Sequence, residues 1–336
     1  MTKLGRGLTA SAGIGAVIYL GFGAFSGFHR VGAALARFSW SMAGLGLLLA
    51  LQNYLFRFVK WEYFLRRLGV KIPVGRSLAI FFAGFSLTVT PGKVGEVLKS
   101  YLLRETDGVP MSRTAPIVVA ERVTDLVALL LLAVVGAGSL GDSRRILWIG
   151  FALVAALVAA VALRPIGDTA IALVERLPGG AQIGPKLRQF HASTRELLSP
   201  APLVAATGIS LLAWACECVA FWVILRGFPG AAVGLLHGTF IYAAMTIAGA
   251  LSFLPGGLGV TEGGMVALLV AGASGLDEPT ALAATFVTRL CTLWFAVLLG
   301  VVALSFVGRG AEVNLATLER SGTGGSDGSD GSEVSG

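Results

Sequence analysis

Thr90-Pro-Gly-Lys-Val-Gly-Glu-Val-Leu-Lys-Ser-Tyr-Leu-Leu103 interrupts a long apolar tract, and the fold turns on how it is read. The apolar run Ser77–Val89 leads into it and a second apolar half-helix leaves it. Each arm is about 13 residues, roughly 20 Å at 1.5 Å per residue, too short for a bilayer core of about 30 Å. Pro91 and Gly92 stop the first arm, and Gly95 loosens the start of the second. Lys93, Glu96 and Lys99 therefore stand at a break between short helices. In lipid, broken backbone and ionisable side chains survive only when buried in protein or facing a wet cavity. The stretch predicts a re-entrant hairpin lining a polar site inside a membrane protein. The alternative is an ordinary loop with its charges in water.

Composition excludes a soluble domain. Of 336 residues, 55% are apolar and only 13% charged, with a mean hydropathy of +0.80, and the apolar residues fall in long blocks. Lys3 and Arg6 before an apolar run resemble a signal peptide, but many spans follow and no cleavage pattern stands out, so a retained first helix is expected. Cys216, Cys218 and Cys291 lie in apolar blocks, and His29, His191 and His237 are scattered. Buried, unpaired thiols are expected rather than a Cys-x-Cys metal site, and no cofactor is implied. The net charge of +7 points to lipid rather than nucleic acid because of where the charges fall.

Full spans are predicted at 11–28, 39–56, 114–138, 145–163, 203–225 and 279–307, with interrupted hairpins at 77–103 and 232–274. With the N-terminus in the cytoplasm, 17 of the 26 Lys and Arg fall on the inner side and 5 on the outer, with 4 in the membrane. That bias places both termini inside. Arg57-Phe-Val-Lys-Trp-Glu-Tyr-Phe-Leu-Arg-Arg67 mixes basic and aromatic residues, which suits an interfacial helix meeting anionic headgroups or a span end with flanking charges. The polar connection 165–200 is expected to carry a surface-lying helix. From Ser321 the chain is almost purely Gly, Ser, Thr and acid, so residues 309–336 are predicted as a disordered cytoplasmic tail behind a transmembrane domain at 1–308.

The opening motif recurs. Ala83-Gly-Phe-Ser-Leu-Thr-Val-Thr-Pro-Gly-Lys-Val-Gly95 matches Ala248-Gly-Ala-Leu-Ser-Phe-Leu-Pro-Gly-Gly-Leu-Gly259 with one gap, so that Pro255, Gly256, Gly257 and Gly259 form the second break. Each copy then carries an acid, Glu96 or Glu262, and a later helix with an arginine, Arg122 or Arg289. Those arginines follow the prolines by 31 and 34 residues. By the topology above, the hairpins open from opposite faces, which is the trace of an inverted repeat whose breaks meet near the midplane. The predicted fold class is all-α: a polytopic integral membrane protein of about six full spans plus two re-entrant helical hairpins in an inverted repeat.

Glu121 and Asp125 share a helix face with Arg122 adjacent, all within the first half of a spanning helix. A lone charge at a span's centre costs about 2.5–3.5 kcal/mol on insertion scales, so three in five residues do not face lipid. They form either a polar cluster for a headgroup or coupling ion, or an internal salt bridge of Arg122 with Glu96 or Glu262. Arg289, beside Thr288 and Thr292, is read in the same way. Glu217, the one ionisable residue of its span, is a proton carrier, a partner to Arg122 or Arg289, or a packed, protonated acid. Guanidinium groups grip phosphate bidentately, so Lys93, Arg122 and Arg289 beside the breaks make a phosphate site, with Glu96, Glu121, Asp125 and Glu262 balancing its charge. No Walker A, dinucleotide, HExxH or GxSxG pattern appears, and the chain is read as a non-enzyme.

At Thr90–Glu96, Glu121–Asp125, Trp214 with Glu217, Leu254–Glu262 and Thr288-Arg289 the chain resembles the lysylphosphatidylglycerol synthase transmembrane-region, or flippase-like, family. The resemblance runs from about residue 50 to 305. It implies a helical membrane protein with re-entrant helices that moves phospholipids, polyprenyl lipids or related amphiphiles between leaflets. Relatives that make lysyl-phosphatidylglycerol carry a further soluble aminoacyl-transferase domain, and no such domain follows here, so synthase activity does not carry over. The expected function is lipid translocation in the inner membrane, with a membrane lipid as substrate, anionic headgroups as partners, and a homo-oligomer left open. The alternative is a membrane enzyme, or enzyme partner, in lipid headgroup transfer or glycosylation.

Overall fold

The structure, a computed structural model, describes residues 28–89, 94–137, 152, 175, 180–272 and 274–307. The expected spans at 11–28 and 145–163 therefore lie outside the described residues (Phe28 apart, and Ala152, which is helical), as do Pro91, Gly92, Lys93 and the tail; Gly95 and Glu96 are described in backbone alone.

The described residues are mostly helical, with no strand among them. In chain order they form α1 (Phe28–Ala36), α2 (Trp40–Arg67), α3 (Val74–Ala83, extended by a 3-10 turn at Gly84–Leu87), α4 (Val94–Asp107), the short α5 (Met111–Thr114) and α6 (Pro116–Gly136). After these come α7 (Gly180–Leu197), α8 (Pro200–Arg226), α9 (Leu235–Leu251), a 3-10 turn at Pro255–Gly257, α10 (Val260–Ala271) and α11 (Glu278–Val307, with a π-turn at Leu290–Trp294).

Local chemistry fixes the helix ends. Ser39 and Ser199 are extended and precede α2 and α8, and Asp277 caps α11 by accepting from the Thr280 N–H at 3.1 Å. Prolines stand in the first turns of α6, α8 and α11, where a missing N–H costs nothing. Arg66 and Arg67 end α2, where cations complement the helix dipole.

Among the described residues, three helices are long and apolar enough to cross a membrane: α2 with 28 residues, α8 with 27 and α11 with 30. α6, at 21 residues, is about 31 Å long, close to the thickness of a bilayer core, and carries Glu121, Arg122 and Asp125. The helices flanking the two breaks are shorter: 10 residues in α3, 14 in α4, 17 in α9 and 12 in α10. Leu48, Leu55 and Val59 of α2, Val204 and Leu212 of α8, and Leu298 and Phe306 of α11 point outward. Large apolar side chains presented this way along long helices suit a hydrocarbon solvent.

One difference from expectation concerns α2. It runs unbroken to Arg67, so Arg57 and Lys60 belong to the helix bundle and not to a separate interfacial helix. Lys60 has no exposed surface and Trp61 and Phe64 are equally buried. Removing Arg57 and Lys60 from the inner tally changes 17 against 5 to 15 against 5, so the bias stands. The helix expected in 165–200 is α7, which packs on α6 and buries Leu197 and Leu198 in the bundle.

Two apolar clusters fill the bundle, one toward each end. α6 passes from one to the other between Val123 and Ala128, the residues that bracket Asp125. α8 does so between Ala206 and Trp214, which bracket Ser210. α11 changes over between Cys291 and Ala296, across its π-turn. Polar side chains thus collect where the two cores join.

Candidate functional site

The residue that leads into the first break touches the second. Val89, the last described residue before Thr90, packs with Leu258 of the second break and Leu293 of the α11 π-turn, and Trp294 and Val297 complete this contact. Gly256, Gly257 and Gly259 have φ of 61°, 67° and 87°, the left-handed region that glycine enters without strain. The second break therefore turns tightly and releases α10 directly behind it.

Glu262 and Arg289 hold that turn. Glu262 accepts the Gly259 N–H on Oε2 at 2.6 Å, closing the first turn of α10. Its Oε1 takes the Arg289 Nε–H at 2.6 Å, and Arg289 Nη2 donates to the Gly256 carbonyl at 2.6 Å. The acid and the arginine recognised in the second repeat thus form one buried clamp on the break.

The α6 charges are held by cations from two other helices. Lys99 of α4 donates to Glu121 Oε2 at 2.7 Å, with its ammonium 4.4 Å from the centroid of the Trp61 ring. Lys60 of α2 donates to Asp125 Oδ1 at 2.5 Å and to Ser210 Oγ at 2.7 Å, and Ser210 in turn donates to Asp125 at 2.9 Å. Four helices therefore converge on Glu121 and Asp125. Glu217 accepts from the Tyr242 hydroxyl at 2.6 Å. Nearby, Asn53 donates to the Ala213 carbonyl at 2.8 Å, and Tyr54 donates to the Thr292 carbonyl inside the π-turn.

Arg57 sits among these groups. Its guanidinium lies 5.3 Å from the Phe85 ring centroid and 5.9 Å from that of Trp214. It acts electrostatically on Tyr54, Lys60, Lys99, Arg122, Asp125 and Glu217. Glu217 also feels Asp125 and Arg289, so the charged groups of both repeats form one coupled array. Arg57 makes no ion pair with a described carboxylate; its contacts are the two rings. Arg57 is half-buried, and a cation over aromatic faces gains about 0.5–2 kcal/mol.

Of the residues singled out in the sequence, the structure brings Glu121, Arg122, Asp125, Glu217, Glu262 and Arg289 into this array, with Pro255, Gly256, Gly257 and Gly259 at its edge. Lys93, Pro91 and Gly92, and the side chain of Glu96, lie outside the described residues. Glu217 meets Tyr242, which the sequence reading did not foresee as its partner. Lys60, Arg57, Tyr54 and Ser210 were missed as well. One signal was present: Asn53, Arg57 and Lys60 recur at i, i+4 and i+7, a single face of one helix. Among the described residues no cluster of three metal-ligating side chains occurs.

The chain belongs to the family of the lysylphosphatidylglycerol synthase TM region, whose sequence profile matches residues 12–300. It is a membrane protein of that family, as its apolar helices also show. Two relatives from Methanothermobacter thermautotrophicus, both described as UPF0104 membrane proteins, are each 26% identical to it. One aligns over 288 residues, 76% of this chain and 82% of the relative; the other over 329 residues, 88% and 92%.

Proposed function

We propose that the protein moves lipids between the leaflets of the inner membrane, with both termini cytoplasmic. The headgroup passes along the polar array while the acyl or prenyl tails stay in the bilayer, and the two broken segments act as re-entrant hairpins of an inverted repeat. The observation that carries this reading is the contact of Val89, which leads into the first break, with Gly256 and Leu258 of the second, beside a buried array of acids and bases. Broken helices that meet near a midplane are where transporters build their sites. Charged side chains kept within a membrane bundle at this density are a functional signal, because each costs insertion free energy.

The test is reconstitution of the full chain into liposomes with headgroup-labelled lipids, followed by chemical quenching of the outer leaflet. Protein-containing vesicles are expected to lose nearly all label, and protein-free vesicles about half. Equal loss in both sinks the translocation reading. The family description names a synthase, and this favours a second reading, a partner in lipid headgroup transfer. Lipid extracts of a deletion strain separate the two. A missing product supports transfer, and a normal product in the wrong leaflet supports translocation.

A further inference from the structure

Two hydrogen-bond donors in the array have no acceptor among the described residues. Arg57 has no carboxylate partner among the described residues and rests on the rings of Phe85 and Trp214. Trp214 is 9% exposed, and its indole N–H is buried with no hydrogen-bond partner. Indole nitrogen only donates, and a buried donor without an acceptor is rare in native proteins. The other basic groups of known partner are engaged: Lys60 on Asp125, Lys99 on Glu121, and Arg289 on Glu262 and a carbonyl. Arg289, which sequence spacing put forward as a phosphate ligand, is thus already spoken for.

We propose that Arg57, half-buried over the rings of Phe85 and Trp214, binds the phosphate group of a lipid headgroup. The inference rests on the reading that headgroups enter this array and names the chemistry that is recognised there. The guanidinium offers a planar fork of N–H donors that matches two phosphate oxygens. Lys60 and Lys99 are each held on an acid. Phosphate selectivity accordingly falls to Arg57.

Native mass spectrometry of the detergent-solubilised full chain tests this with three probes: phosphatidylglycerol, diacylglycerol of the same chains, and soluble glycerol phosphate. The unaltered chain is expected to retain phosphatidylglycerol over diacylglycerol, and Arg57→Gln to weaken that retention by about tenfold or more. Arg57→Lys keeps the charge without the fork and is expected to weaken retention by a few-fold. Retention of glycerol phosphate as strong as that of the lipid replaces the lipid headgroup by a free phosphate ester as the ligand. Equal retention of phosphatidylglycerol by all variants overturns the proposal, as does parallel loss of phosphatidylglycerol and diacylglycerol. The outcomes also separate the two readings. Selective, Arg57-dependent binding without leaflet exchange refutes translocation alone, and exchange indifferent to Arg57 refutes the phosphate contact alone.

Discussion

Lys60 has no exposed surface, and its ammonium lies 2.5 Å from Asp125 Oδ1. Replacing it with Met keeps the length of the side chain and removes the charge. Asp125, itself 3% exposed, then loses its cation while keeping a single hydroxyl donor, Ser210. Breaking one side of a buried ion pair costs about 3–5 kcal/mol, whereas replacing both sides by apolar groups of similar volume is close to neutral. For a chain of this size each kcal/mol is worth about 2 °C of midpoint, so Lys60→Met is expected to lower the detergent melting midpoint by about 6–10 °C. Adding Asp125→Leu to Lys60→Met is expected to restore most of that loss, which is the signature of a pair rather than two independent residues. Thermal unfolding monitored by size-exclusion of a fluorescent fusion reads both values. A double variant as unstable as the single one, or a single variant that melts normally, refutes the pairing as the reason these charges are tolerated.

A methyl group at Gly300 falls against the backbone of Phe85 and Ser86, so Gly300→Ala is expected to separate α11 from the 3-10 turn and lower the midpoint. Gly44→Ala, where nothing lies within 4 Å, is expected to raise stability by about 0.5–1 kcal/mol through helix propensity. Arg289→Gln is expected to speed amide hydrogen exchange at residues 254–262 while leaving α8 unchanged, because Arg289 grips both Glu262 and the Gly256 carbonyl; unchanged exchange there refutes the clamp. Tyr242→Phe removes the donor to Glu217 and is expected to cost about 1–3 kcal/mol, read as a fall of about 2–6 °C in midpoint.

The second break was legible in the sequence because Pro255 and the glycines behind it cannot continue a helix. The burial of Glu121, Asp125, Glu262 and Arg289 followed from the cost of charge in lipid. Which acid meets which base did not follow, since Lys60 and Asp125 are 65 residues apart and sequence spacing holds no trace of their contact. Arg57 and Lys60 were misplaced for a specific reason. A run of bases among aromatics has the composition of a membrane interface, yet α2 is 28 residues long and outlasts the bilayer core, so its later turns still pack against protein. Periodicity along that helix distinguished the two cases better than composition did.

The pairs also show how the repeat is used. In each unit an ion pair ties the half-helix after the break to the long helix that follows it: Lys99 of α4 to Glu121 of α6, and Glu262 of α10 to Arg289 of α11. The sign is exchanged between the units, with the cation on the half-helix in the first and the acid on it in the second. What the repeat preserves at these positions is therefore the tie, not the charge that a ligand would meet. Across the units, the described contact is apolar, Val89 against Leu258. An ion pair fixes distance and partner, whereas apolar contact is non-directional and tolerates sliding. On the proposed function, each tied pair moves as one body and the passage opens at the apolar seam between them. On the same reading the paired charges hold the helices together, and the headgroup meets Arg57 over Phe85 and Trp214.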